Sequence, residues 1–122
     1  MTDDTFQVTQ ITLATTHTEA MVRFYATTFA TAFTPLEVAG TTLYRGRMHG
    51  LTFILCPNTL AGVQAERSRH QLTYATPDLA ATLARAVDGG GTIDAAANGH
   101  QPGTSVTVRD PDDNSILFLQ AP

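Results

Sequence analysis

Gln10-Ile-Thr-Leu-Ala-Thr15 returns 61 residues later as Gln71-Leu-Thr-Tyr-Ala-Thr76, in a chain of 122 residues. Each copy runs on into an Ala-rich amphipathic stretch. The ends also correspond: Tyr44-Arg45 and Leu51 to Leu55 match Val108-Arg109 and Ser115 to Leu119, at an offset of 64. The chain is an internal duplication. Half-modules of about 60 residues bury too little surface to be robust alone, so the two pack together. The modules run from about 6 to 57 and from about 69 to 121, and form a single domain.

Alternation of apolar and polar residues predicts a first strand over Phe6 to Thr15. Met21, Val22, Tyr25, Phe29 and Ala32 recur at helical spacing, which predicts a helix from Glu19 to Ala32 with one stripe facing a sheet. Three strands follow at Thr34 to Val38, Thr41 to Arg45 and Leu51 to Cys56, with Ala39-Gly40 and Gly46 to Gly50 as turns. Pro57 to Arg69 has no periodicity and reads as the connection. The second half repeats the order. A strand over Gln71 to Thr76 leads to a helix from Leu79 to about Val87, and strands follow at Thr92 to Ala96, Ser105 to Arg109 and Ser115 to Gln120. Gly89-Gly90-Gly91 follows a helix, whereas phosphate-binding loops precede one, so it reads as a helix stop. Asp110-Pro-Asp-Asp-Asn114 reads as a turn. A calcium loop needs a bidentate Glu where this chain has Ala121.

Composition excludes several functions. With 43% hydrophobic residues the chain has ordinary core content, and a net charge of −4 disfavours nucleic acid and anionic membrane surfaces. Seven Arg and no Lys remove Schiff-base chemistry and the P-loop phosphate grip. Cys56 is alone, so no disulfide forms within the chain, and the first residues carry no basic or apolar leader. No apolar run approaches the ~18 residues of a membrane span. The expectation is a cytoplasmic protein without nucleic-acid or membrane partners.

The repeated strand, helix and three strands resemble the vicinal oxygen chelate superfamily, which includes glyoxalase I, extradiol dioxygenases, fosfomycin-resistance enzymes and bleomycin-resistance proteins. The residues that carry the resemblance are Arg23-Phe24-Tyr25 in the first helix, Thr76-Pro-Asp-Leu79 opening the second, and Arg109-Asp-Pro-Asp-Asp-Asn-Ser-Ile116. The resemblance covers the whole chain. It implies an α+β fold of duplicated βαβββ modules, in which two curved four-stranded sheets enclose a cleft and the helices lie outside.

Enzymes of this superfamily hold a divalent ion with four side chains, one on the first and one on the last strand of each module. Aligned on the helix starts at His17 and Asp78, those positions fall on Gln10, Phe53, Gln71 and Leu117. Metal ions need His, carboxylate or thiolate donors, and Phe and Leu offer none. The expectation is no metal and no cofactor. His70, beside Gln71, reaches a ligand position only if its strand is bulged, because strand side chains alternate. His49 lies in a predicted hairpin turn at the cleft mouth. His17 and His100 read as solvated.

Alternation puts Gln10, Thr12 and Ala14, with Gln71, Thr73 and Ala75, on the cleft side, and turns Ile11, Leu13, Leu72 and Tyr74 to the helices. The candidate ligand-binding set is Gln10, Thr12, Tyr44, His49, Phe53, His70, Gln71, Thr73 and Leu117. Amides and hydroxyls over an apolar floor suit a small organic ligand. None of Gln10, Thr12, Phe53, Gln71, Thr73 and Leu117 is a general acid or base, so a catalytic residue is not identified. The reading is a metal-free binder related to bleomycin-resistance proteins, a homodimer, whose acidity suits a cationic, partly planar compound. The alternative is a glyoxalase-like metal-dependent lyase, isomerase or dioxygenase acting through His70 or His49. A cleft filled by its own core is a third possibility.

Overall fold

The computed structural model describes residues 7–48, 50–65, 67–95 and 104–122; Phe6, His49, Ala96 and His100 lie outside them. The elements in the first half are β1 (Gln10–Thr15), α1 (Thr18–Phe29), β2 (Thr34–Val38), β3 (Thr41–Met48) and β4 (Leu51–Pro57). After α2 (Asn58–Ala61) come β5 (Leu72–Thr76), α3 (Leu79–Asp88), β6 (Thr92–Ile93), β7 (Ser105–Arg109) and β8 (Ser115–Gln120). The strands form two four-stranded sheets, ordered β1-β4-β3-β2 and β5-β8-β7-β6, so the sequence repeat is a repeat of topology. In each sheet the module's first strand is an edge strand, parallel to its last, and the remaining pairs are antiparallel. The class is α+β with helices outside two open mixed sheets.

Three local differences from the expected elements have physical causes. Helix α1 stops at Phe29 because Ala30 takes the left-handed conformation (φ 52°) and the Thr31 amide closes back on the Ala26 carbonyl. No glycine marks that stop. Strand β3 continues through Gly46, which was expected to open a turn. There a Cβ would stand 3.0 Å from the Phe33 ring, so this glycine serves close packing rather than chain reversal. The connection also contains one helical turn, α2, ended by Gly62 at φ 73°.

The core joins the modules through the helices. Met21, Phe24 and Tyr25 of α1 form one buried cluster with Phe53 and Leu55 of β4, Leu79 and Ala86 of α3, and Val106, Val108, Ile116 and Phe118 of β7 and β8. Helices α1 and α3 touch. Rings run from one module to the other, Phe53 to Tyr25 to Phe29 to Tyr74, with centroids 5.3, 5.8 and 4.7 Å apart. Each such contact adds about 0.5–1.5 kcal/mol to area burial.

Candidate functional site: a pocket between the modules

Edge strands β1 and β5 both line a cavity of about 450 Å³. Its apolar wall comes from Ile11 and Leu13 of β1, Tyr25 of α1, Phe53 of β4, and Leu72 and Tyr74 of β5. Gln10, Thr12, Ser68, His70, Asn114 and Ser115 supply polar groups. No carboxylate or guanidinium lines it among the described residues. The cavity therefore brings together Gln10, Thr12, Phe53 and His70 of the expected set. Gln71 is one step removed and donates through Nε2 to Ser115 Oγ at 2.6 Å. Thr73 and Leu117 pair across β5 and β8 outside the cavity, Tyr44 packs against the core from β3, and His49 is outside the described residues.

Strand pairing corrects the expected faces in two ways. Paired residues on neighbouring strands share a side of the sheet. In the second module Leu117 pairs with Thr73, so both lie on one face. In the first, Phe53 pairs with Ile11, whereas Ile54 pairs with Thr12. The counterpart of Leu117 is thus Ile54, one residue beyond Phe53, and Phe53 turns under α1 against Tyr25. By the same register Arg109 opposite Ser115 corresponds to Arg47 opposite Thr52, not to Arg45. Two consecutive apolar residues in a buried strand look alike in sequence, and only hydrogen-bonded register tells them apart. The second correction concerns the wall. Ile11, Leu13 and Tyr74 pack against the core as expected, but the cavity lies along this apolar side, with Gln10 and Thr12 at its margin.

The four family metal positions are therefore Gln10, Ile54, Gln71 and Leu117. Two neutral amides and two alkyl side chains do not make a divalent-ion site, because alkyl groups have no lone pair and an amide oxygen is a weak donor. Gln10 Nε2 donates to Thr12 Oγ1 at 3.0 Å, and Gln71 Nε2 to Ser115 Oγ. Among the described residues no three His, Cys, Asp or Glu side chains cluster in a way that could hold a metal. Cys56 is buried on β4.

One wall of the pocket is anchored by a polar network that the sequence showed only as a turn. Asp110 is almost fully buried, and its carboxylate accepts from the Tyr25 hydroxyl at 2.7 Å, from Asn114 Nδ2 at 2.9 Å, and from the Asp112 and Asn114 amides at 3.0 and 2.9 Å. Asp112 reaches the first module. It accepts from the Thr16 amide (2.9 Å) and hydroxyl (3.0 Å) and contacts His17 Nδ1 at 2.9 Å. The pentapeptide thus ties α1 to the second sheet. Burial raises the Asp110 carboxyl pKa above its ordinary value, against the opposing pull of these hydrogen bonds. Burial, with Asp110 beside it, pushes the Tyr25 phenol well above 10, and burial carries Tyr74 up to about 12. Both phenols are neutral at physiological pH. Tyr25 was legible as part of a helix stripe, but nothing in its spacing disclosed that its hydroxyl serves the other module.

A family model for the glyoxalase-like domain matches residues 10–119. The chain belongs to this family. Its fold is that of the vicinal oxygen chelate superfamily. Among solved structures, a glyoxalase-related enzyme from Fulvimarina pelagi superposes with a TM-score of 0.71 at 23% identity, covering 95% of this chain and 88% of that one. The antibiotic binding protein TnmS3 from Streptomyces sp. CB03234 gives 0.69 at 19% identity, over 99% and 100% of the two chains. A lactoylglutathione lyase from Agrobacterium tumefaciens gives 0.68 at 16%, over 98% and 96%. At these identities the likeness establishes the fold. No match was found among curated proteins.

Proposed function

We propose that this glyoxalase-like protein binds a small, uncharged organic molecule between its two modules, without a metal ion, and releases it unchanged. The observation that carries this reading is the pocket of about 450 Å³, walled by Tyr25, Phe53, Tyr74 and aliphatic side chains. Its volume and composition suit a small organic ligand. The acidic net charge had suggested a cationic ligand, but among the described residues no carboxylate faces the cavity, so a cation would lose its hydration there without a counter-charge. That a protein of this fold, TnmS3, is an antibiotic binding protein supports the reading. The enzyme alternative keeps one foothold in His70, which lines the pocket but stands without a partner ligand at any of the four family positions.

The test is a thermal-shift screen of neutral aromatic compounds, followed by mass analysis of the recovered ligand. Stabilising compounds should come back intact, and a chelator should change nothing. Phe53→Ala is a poor probe because Phe53 is 1% exposed and would unfold the core. Leu72→Gln is the better variant, since Leu72 is 36% exposed and lines the cavity. It should weaken binding by about tenfold, the equivalent of one buried aliphatic side chain. Chemical turnover restored by a divalent ion and lost on His70→Ala would overturn the reading in favour of the enzyme.

The reading includes a cytoplasmic homodimer. No described helix is long and apolar enough to cross a membrane. Val8, Leu72 and Leu119 are exposed apolar residues on or next to edge strands β1 and β5 and on β8. A second copy covering them adds core to a small chain. Sedimentation at micromolar concentration should give twice the monomer mass; a monomer across that range would remove the dimer from the proposal.

A further inference from the structure

Alternation along β3 sends Arg45 and Arg47 to the same face of the first sheet, and register places them opposite Ile54 and Thr52. They flank a groove of about 570 Å³ completed by Thr31, Ala32, Thr34, Gly46 and Thr52. Its outer wall is fixed. Thr31 Oγ1 donates to the Arg47 carbonyl at 2.9 Å, and the missing side chain at Gly46 lets Phe33 seat against the strand from the other face.

The charges in this groove are unbalanced. Arg47 donates only to neutral oxygens, Thr52 Oγ1 at 3.3 Å and the Gly50 carbonyl at 3.1 Å. Arg45 has no hydrogen-bond or ion-pair partner among the described residues. Elsewhere Arg67 pairs with Asp113 and Arg109 with Asp94, Arg23 and Arg85 donate to backbone carbonyls, and Arg69 has no partner among the described residues. The chain carries 11 acidic residues against 7 basic ones, yet no carboxylate lines this groove among the described residues. Glu37, the nearest in sequence, pairs with Thr42 on the opposite face of the β2 and β3 ladder and accepts its hydroxyl.

We propose that this groove binds a small, doubly charged oxyanion, a phosphate or a dicarboxylate. Two guanidinium forks two residues apart on one face of a strand offer donors to a single anion, and planar forks match the oxygens of carboxylate and phosphate. The hydroxyls of Thr34 and Thr52 lie within the same groove and add neutral donors. The groove shares no lining residue with the pocket between the modules, although Thr52 pairs with Gln10 at that pocket's margin, and the two are tested with different ligands.

The test is calorimetric titration of the whole protein at low ionic strength with inorganic phosphate and, separately, with malonate. One equivalent of either should bind, and the two probes separate a phosphate site from a dicarboxylate site. Arg45→Gln and Arg47→Gln should each weaken binding by about tenfold. Arg45→Lys should also weaken it, because the charge remains but the fork is lost. Arg69→Gln, an exposed arginine outside the groove, controls for net charge and should leave binding unchanged. In the unmutated protein, NMR of the arginine Nε–H groups should shift at Arg45 and Arg47 only. No binding of either probe at millimolar concentration, or an equal loss in Arg69→Gln, would overturn the proposal.

Discussion

Replacing Asp110 by Ala is expected to cost about 4 kcal/mol of folding stability, measured by urea denaturation. The substitution leaves four buried donors without an acceptor: the Tyr25 hydroxyl, Asn114 Nδ2 and the amides of Asp112 and Asn114. Each orphaned donor costs about 1–3 kcal/mol, with partial relaxation among neighbours. Small domains hold only about 5–15 kcal/mol in total, so this one change removes much of the margin. Tyr25→Phe removes a single donor and should cost about 2 kcal/mol. A loss under 1 kcal/mol in Asp110→Ala would mean that the turn does not tie the modules together.

The same carboxyl makes a pH prediction whose sign differs from that of an ordinary paired Asp. Burial raises its folded-state pKa above the usual 3.8, so folding favours the protonated form. The stabilisation from that proton is complete below the unfolded pKa and is lost as pH rises through the higher folded value. Between those two values the unmutated protein should lose stability with rising pH relative to Asp110→Asn, which has no proton to release. A difference between the two proteins that runs the other way would show that the four hydrogen bonds outweigh the burial.

Gly91→Ala is the second large effect, at about 3 kcal/mol. A Cβ there would stand 2.3 Å from the Phe24 ring and 3.0 Å from the carbonyl oxygens of Ala86 and Arg109, so the ring, itself fully buried, must move. Overpacking of this kind costs about 1–3 kcal/mol, and the backbone oxygens leave little room to relax. The neighbours provide an internal scale. Gly90 sits at φ 103°, where an L side chain is strained, and its Ala variant should cost about 1–2 kcal/mol. Gly89 has an ordinary right-handed backbone and contacts no closer than 3.2 Å, so its variant should be the mildest. If Gly90→Ala proved worse than Gly91→Ala, the triplet would be a helix stop and nothing more.

That triplet shows the boundary between the two kinds of information. A glycine run after an amphipathic stretch announces the end of α3, because the left-handed step is a local property of the chain. The closeness of Phe24, which belongs to the other module, is not local. The Asp110 turn divides in the same way. Its composition announced a reversal between β7 and β8, while the reach of Asp110 to Tyr25 and of Asp112 to Thr16 spans more than 80 residues of sequence.

The duplication, the order of the strands and of the two long helices, and the family resemblance were legible in the sequence alone. They rest on residue identity and on periodicity, which are written along the chain. Which face Phe53 takes, where the cavity opens, and the meeting of Arg45 and Arg47 in one groove were decided only by tertiary structure. A one-residue change of register exchanges the two faces of a strand, and register is set by pairing with a partner strand. The pocket is a gap between two modules whose relative placement depends on how α1 and α3 pack.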